Sequence, residues 1–182
     1  MKTKIYDIAI VQTGVFAKKS PTPNAVYLQQ SDFDDEGNVD VSLCPTIEVS
    51  DKYMLNSGDL LVVCKGGKNQ CVEVPEMGYK AVASSSFLVL RINDKENVLP
   101  AYVAWFLNLS RTQRILMQQA KGSAILSISK NVLGEIEIPI PSVEKQQQCL
   151  QLAKLYKREQ MLCQAIMQKR SQLFESKIIN NL

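Results

Sequence analysis

From Val143 to Leu182 the chain contains neither glycine nor proline, and immediately before it stands Pro139-Ile140-Pro141-Ser142. Glycine and proline are the strongest local breakers of a helix, so their absence over such a length predicts one long helix. Ser142 is placed to cap its N-terminus, and Glu144 falls in the first turn, where a negative charge suits the helix dipole. Leu152, Leu155, Leu162, Ile166 and Leu173 are spaced 3, 7, 4 and 7 apart. At 100° per residue that spacing collects all of them in one narrow stripe. About 40 residues at 1.5 Å each would span roughly 60 Å. A helix of that length cannot bury its stripe along its whole extent on the rest of this chain, so it needs a partner. Glu159 and Lys169 fall where a seam wants apolar residues. A short antiparallel pairing or bundle fits that interruption better than a long parallel zipper. The alternative is an ordinary C-terminal helix folded back on its own domain.

The preceding residues, 1–142, have a different texture. Leu60–Cys64 (Leu-Leu-Val-Val-Cys) follows the turn signal Asn56-Ser57-Gly58-Asp59 and reads as a buried strand. Phe87–Ile92 and Ile136–Ile140 read likewise, the second ending at prolines that stop strand pairing. Pro100–Asn108 runs on into Ser110–Ala120 without an internal glycine or proline and is predicted to be helical. Strands mixed with about two helices make an α+β domain over 1–142, followed by a helix over 143–182.

Of the numbers in the composition, the most restrictive is the absence of histidine. That closes Ser-His-Asp and Cys-His triads, His-ligated zinc and His acid–base catalysis. Five cysteines (Cys44, Cys64, Cys71, Cys149 and Cys163) form no Cys-x-x-Cys pair, so free thiols are expected rather than a metal site. No secretory signal or membrane-length apolar stretch is visible, and a cytoplasmic location is expected. No catalytic residue, metal or cofactor is assigned.

Three local patterns invite chemistry. Ser127-Ile128-Ser129-Lys130 has the Ser-x-x-Lys spacing of serine acyl-enzymes, but the companion motifs Ser-Asp-Asn and Lys-Thr-Gly are missing. A loop touching phosphate or solvent is the simpler reading. Lys65-Gly66-Gly67-Lys68-Asn69 follows a strand but lacks the spacing of a nucleotide-binding loop. Backbone amides with Lys65 and Lys68 could grip a nucleic-acid phosphate there, and a plain hairpin turn fits equally. The acidic run Asp32–Asp40 departs from calcium-loop spacing and reads as a solvated loop.

The placement of charge says more than its net of +3. Residues 1–142 hold 14 basic and 15 acidic side chains, a net of −1, whereas 143–182 hold 7 and 3, a net of +4. Setting aside the five clustered acids Asp32, Asp34, Asp35, Glu36 and Asp40 leaves +4 in the first part. Its basic residues then group at Lys18/Lys19, Lys65/Lys68 and Lys121/Lys130. These groups neighbour loops rich in glycine and small polar residues: Gln12-Thr13-Gly14, Lys65–Asn69 and Lys121-Gly122-Ser123. Such loops can combine phosphate clamps with base-edge readers, and they fit a solvated surface equally well.

The ordered segments resemble one family, the specificity (S) subunits of type I restriction–modification systems. The resemblance runs through Asp7-Ile-Ala-Ile-Val-Gln-Thr-Gly14, Tyr27-Leu-Gln-Gln-Ser-Asp-Phe33, Gly58-Asp-Leu-Leu61 leading to Lys65-Gly66, and Ala83-Ser-Ser-Ser-Phe-Leu-Val-Leu90. It continues in Leu99-Pro-Ala-Tyr-Val-Ala-Trp-Phe-Leu107 and Lys121-Gly-Ser-Ala-Ile-Leu-Ser-Ile-Ser-Lys130. From there it passes through Leu133 and Ile136–Pro141 into Val143-Glu-Lys-Gln146. The Ile-Pro-x-Pro junction followed by Glu and Gln at the head of a long helix is its most telling part.

The resemblance implies a DNA target-recognition domain in residues 1–142 and a spacer helix in 143–182. Members of that family usually carry two such domains and two antiparallel helices, and they position methyltransferase subunits without themselves being catalytic. This chain has one domain and one helix, so it looks like a half-subunit. Its expected partners are double-stranded DNA, a second copy of itself, a modification subunit and, where one exists, a restriction subunit; no membrane is expected. The DNA-contacting residues are expected among Gln12, Thr13, Lys18, Lys19, Lys65, Lys68, Asn69, Lys121, Ser123, Ser127 and Lys130. The partner-helix seam is expected at Leu152, Leu155, Leu162, Ile166 and Leu173. The competing readings are a protein-interaction adaptor on a degenerate recognition fold and a serine acyl-enzyme built on Ser127 and Lys130.

Overall fold

Short runs of Leu, Val, Ile and Phe suit the pleated surface of a sheet, and they form its centre here. The computed structural model describes residues 2–34, 37–39, 43–65, 69–119 and 127–179. The chain divides into two units, Met1–Val143 and Glu144–Leu182. In the first, β2 (Ala9–Thr13), β4 (Leu60–Val63), β5 (Cys71–Glu73) and β7 (Phe87–Ile92) form an antiparallel sheet in the order β2-β7-β4-β5. Two smaller sheets flank it: β1 (Lys2–Lys4) pairs antiparallel with β8 (Glu137–Pro139), and β3 (Val26–Leu28) pairs parallel with β6 (Ala81–Ala83). The helices of this unit are α1 (Ile5–Ile8), α2 (Pro100–Asn108), α3 (Ser110–Gln119) and α4 (Lys130–Gly134). The unit is α+β, as the mixture of strand and helix patterns predicts.

Leu61, Phe87 and Val89 project from the sheet into one cluster with Val26, Leu28, Ala81 and Ala83 of β3 and β6. The alternate residues Leu60, Val62, Leu88 and Leu90 are buried as well. Both faces at the middle of the sheet are therefore covered, which is why β4 and β7 read as continuous apolar runs rather than alternating ones. Each such side chain contributes about 1.5–3 kcal/mol on burial.

One charged pair sits at this core. Asp59, fully buried, accepts from Arg91 Nε at 3.0 Å and Nη2 at 2.7 Å, and the backbone N–H of Asn56 at 2.8 Å. Arg91 also donates to the Met54 carbonyl at 3.0 Å. The carboxylate is held in two-point contact, and its hydrogen bonds raise the pKa of the guanidinium.

The helix expected to run from Pro100 to Ala120 is two helices. Leu109, with φ −60° and ψ 136°, separates them. Just before it, the side chain of Asn108 accepts from the Cys71 N–H at 2.8 Å and donates to the Cys71 carbonyl at 2.7 Å. That pair of bonds ties the last residue of α2 to the β5 edge, just where the helix ends. Propensity over the segment could not have revealed this, because the competing partner comes from a distant strand.

The acidic run is organised by its own backbone where it is described. Asp32 accepts from the Gln29 N–H at 2.7 Å, and Asp34 accepts from the N–H and side-chain amide of Asn38 at 2.8 and 2.9 Å. Gly37, at φ +86°, closes that turn.

The second unit is dominated by α5, Val143–Ile179, 37 residues long. At 1.5 Å per residue it extends about 55 Å. Leu152, Leu155, Leu162, Ile166 and Leu173, the stripe read from the spacing, are 53–67 % exposed. Among the described residues no helix is long and apolar enough to cross a membrane.

Candidate nucleic-acid interface

The strand order brings three distant segments to one end of the central sheet. β7 runs antiparallel to both β2 and β4, so the C-terminal ends of β2 and β4 meet its beginning: Thr13 pairs with Leu88, and Val63 with Phe87. Gly14 then donates to the Phe87 carbonyl at 2.9 Å, and Val15 to the Ala83 carbonyl at 2.8 Å. A Cβ on residue 14 would run into the backbone carbonyl of Ser84, so glycine is required by this close approach. Gln12 is half-buried on β2 opposite Val89, and Thr13 is exposed beyond it.

At the same end, Lys65 and Ser127 form an isolated antiparallel bridge. The Ile128 N–H donates to the Cys64 carbonyl at 2.9 Å, and the Cys64 N–H to the Ser86 carbonyl at 2.8 Å. The Gln30 side-chain amide donates to the Lys65 carbonyl at 2.9 Å, while Lys65 Nζ lies 3.5 Å from Ser85 Oγ. The result is a group of one ammonium, two hydroxyls and an amide on a backbone fixed by the sheet, exposed except for the half-buried Ser85. It offers a cation and neutral hydrogen-bonding groups to a phosphate oxygen, and the group contains no acid–base pair. Beneath it, the Cys64 thiol donates to the Ser86 carbonyl at 3.1 Å, and burial pushes its pKa up. That thiol is a structural peg rather than a nucleophile.

The other residues singled out by sequence are placed less uniformly. Asn69 is buried, and its carbonyl accepts from Gln113 Nε2 at 2.9 Å; it anchors α3 rather than presenting a side chain to solvent. Lys18 and Lys19 are exposed on a separate segment, where Lys19 bridges Ile47. Lys130 is exposed at the first position of α4, whose N-cap is Ser129, accepting from Val132 at 3.2 Å. The Ser-x-x-Lys spacing therefore does not lie on one helix turn, because Ser127 belongs to the bridge that precedes the helix. Lys68, Lys121 and Ser123 lie outside the described residues.

Some surface groups here carry no sequence signal. Phe16 is 81 % exposed, and it borders an open depression of about 350 Å³ shared with Thr13, Gly14, Val49 and Tyr53. Lys52 Nζ lies 4.7 Å from the centre of the Tyr53 ring. Phe16 is exposed between the half-buried Val15 and Ala17. Gln30 and Ser85 were likewise invisible as site residues, since their role depends on which loops the sheet brings together.

Residues 7–162 match the family described as type I restriction modification DNA specificity domain. No curated protein sequence matches the chain. Among solved structures, the fold is similar to a chain in a structure concerned with complex assembly and conformational transition of the type I R-M system. That similarity has a TM-score of 0.62 at 14% identity, covering 87% of this chain and 38% of that one. The HsdS subunit from Thermoanaerobacter tengcongensis aligns with a TM-score of 0.58 at 14% identity, over 87% of this chain and 37% of its own. The type I restriction-modification system S subunit from M. genitalium aligns at 0.55 and 18% identity, over 87% and 39%. The chain thus spans about two-fifths of the length of the solved chains it matches.

Proposed function

Because the chain belongs to the type I restriction modification DNA specificity domain family, we propose that it is a DNA-sequence-recognition subunit. In this reading residues 1–142 contact duplex DNA, and the helix that follows pairs with that of a second copy. The observation that carries the reading is the Lys65–Ser127 bridge with Gln30 and Ser85, which presents a cation and neutral hydrogen-bonding groups from a rigid sheet end. Phosphate contacts of this kind set position and register, while neighbouring loop side chains read base edges. Thr13, Gln12 and the exposed Phe16 are the described candidates for that second role.

A homodimer would carry two identical recognition surfaces and read two half-sites in inverted orientation. The exposed leucine stripe of α5 supports that pairing. Modification subunits, and a restriction subunit where one is encoded, would dock on this assembly and supply the chemistry. The chain itself would contribute none.

The test is selection of duplexes from a random pool by the chain assembled with its modification subunit. Enrichment of a two-part sequence, with affinity falling steeply as salt rises, is the expected result. Binding without sequence preference, or indifferent to salt, would overturn the reading.

A further inference from the structure

We propose that α5 pairs with the α5 of a second copy in one antiparallel register, set by Glu159 and Lys169, with the two-fold axis crossing level with Gln164. This rests on the homodimer reading above and specifies which residues meet. The helix carries the seam residues Leu155, Leu162, Ile166 and Leu173, all exposed, and both charges interrupt that seam while being exposed themselves. Neither charge finds an opposite charge at helical spacing in its own chain. The neighbours of Glu159 three and four residues away are Leu155, Tyr156, Leu162 and Cys163; those of Lys169 are Ala165, Ile166, Gln172 and Leu173.

In an antiparallel pair, residues meet across the axis at equal distances on either side of it. An axis level with Gln164 sets Leu155 against the partner's Leu173, Leu162 against the partner's Ile166, and Glu159 against the partner's Lys169. The two-fold repeats each contact, so between Leu155 and Leu173 the seam is apolar layers punctuated by two opposite-charge layers, and at its ends Leu152 lies against the partner's Ser176. Shifting by one heptad in one direction sets Glu159 against the partner's Leu162 and Lys169 against the partner's Leu152. The opposite shift sets Glu159 against the partner's Ser176 and Lys169 against the partner's Ile166. Both shifts bury charge without a counter-charge, which is the use of a polar seam position to select register. The same register sets Cys163 beside the axis, offset from its own copy by two residues of rise, about 3 Å.

The experiment uses the full chain with Cys44 and Cys149 changed to serine. Cys163 then remains as the exposed thiol, since Cys64 and Cys71 are buried and burial raises the pKa of both. A short bismaleimide is expected to convert most of the protein to a covalent dimer. A matching chain retaining Cys149 in place of Cys163 is expected to stay uncrosslinked. In parallel, Glu159→Lys and Lys169→Glu are each expected to weaken self-association about tenfold, and an equimolar mixture of the two is expected to restore it. A chain that is dimeric by solution mass but fails to crosslink at Cys163, or whose mixed variants do not recover, overturns the register and leaves the dimer standing. A monomeric mass overturns the dimer reading itself.

Discussion

Lys65 and Ser127 face each other across an antiparallel bridge at the end of the central sheet, with Ile128 bonded to the carbonyl of Cys64 beside them. The contact joins two segments that are remote in the chain, and the Lys65 ammonium and the Ser127 hydroxyl are both exposed. Lys65→Ala is expected to weaken DNA binding about equally for all sequences and to lower the slope of log affinity against log salt by about 1. Fluorescence anisotropy of the assembled complex over a salt series checks this. A loss confined to one target sequence would show Lys65 reading a base instead.

Gly14→Ala tests the close approach of the β2 end to Ser84. The added methyl meets a backbone carbonyl that cannot rotate away. The expected cost is about 1–3 kcal/mol, read as a lower urea midpoint, with reduced DNA affinity because Thr13 is displaced. Unchanged stability would mean that this strand end shifts freely.

The Asp59–Arg91 pair makes a sharper stability prediction. Arg91→Ala leaves a fully buried carboxylate without its guanidinium. Removing one partner of such a pair costs about 3–5 kcal/mol in urea unfolding. Arg91→Lys should recover only part of this, since an ammonium cannot make the two-point contact.

The two serines of the Ser-x-x-Lys stretch should separate cleanly. Ser129→Ala removes the α4 cap and is expected to destabilise the fold by about 1 kcal/mol. Ser127→Ala should change stability little, and a fluorophosphonate probe should label neither the parent chain nor the variant. Labelling that vanished in Ser127→Ala would revive acyl-enzyme chemistry.

Much of the architecture was legible. Phe87–Ile92 is a strand over the range its apolar run indicated, and Leu60–Cys64 is one apart from its last residue. The long helix begins at the residue that the proline junction indicated. The failures share a cause. The break at Leu109 follows a bond from Asn108 to a distant edge strand. Asn69 was grouped with surface lysines because it follows them in sequence, yet α3 covers it.

Local repetition is what a sequence determines by itself. The spacing of Leu155, Leu162, Ile166 and Leu173, and the absence of breakers around them, specify a helix and its apolar face without reference to anything else, because helical geometry is local. Which loops share a surface is not local. Thr13, Lys65 and Ser85 reach one end of the sheet because β7 runs antiparallel to both β2 and β4, and Ser127 joins them through its bridge to Lys65. That pairing is selected by burial of a common core across the whole domain, so the tertiary structure decided which of the residues named from sequence share the candidate interface, and added Gln30 and Ser85 to them.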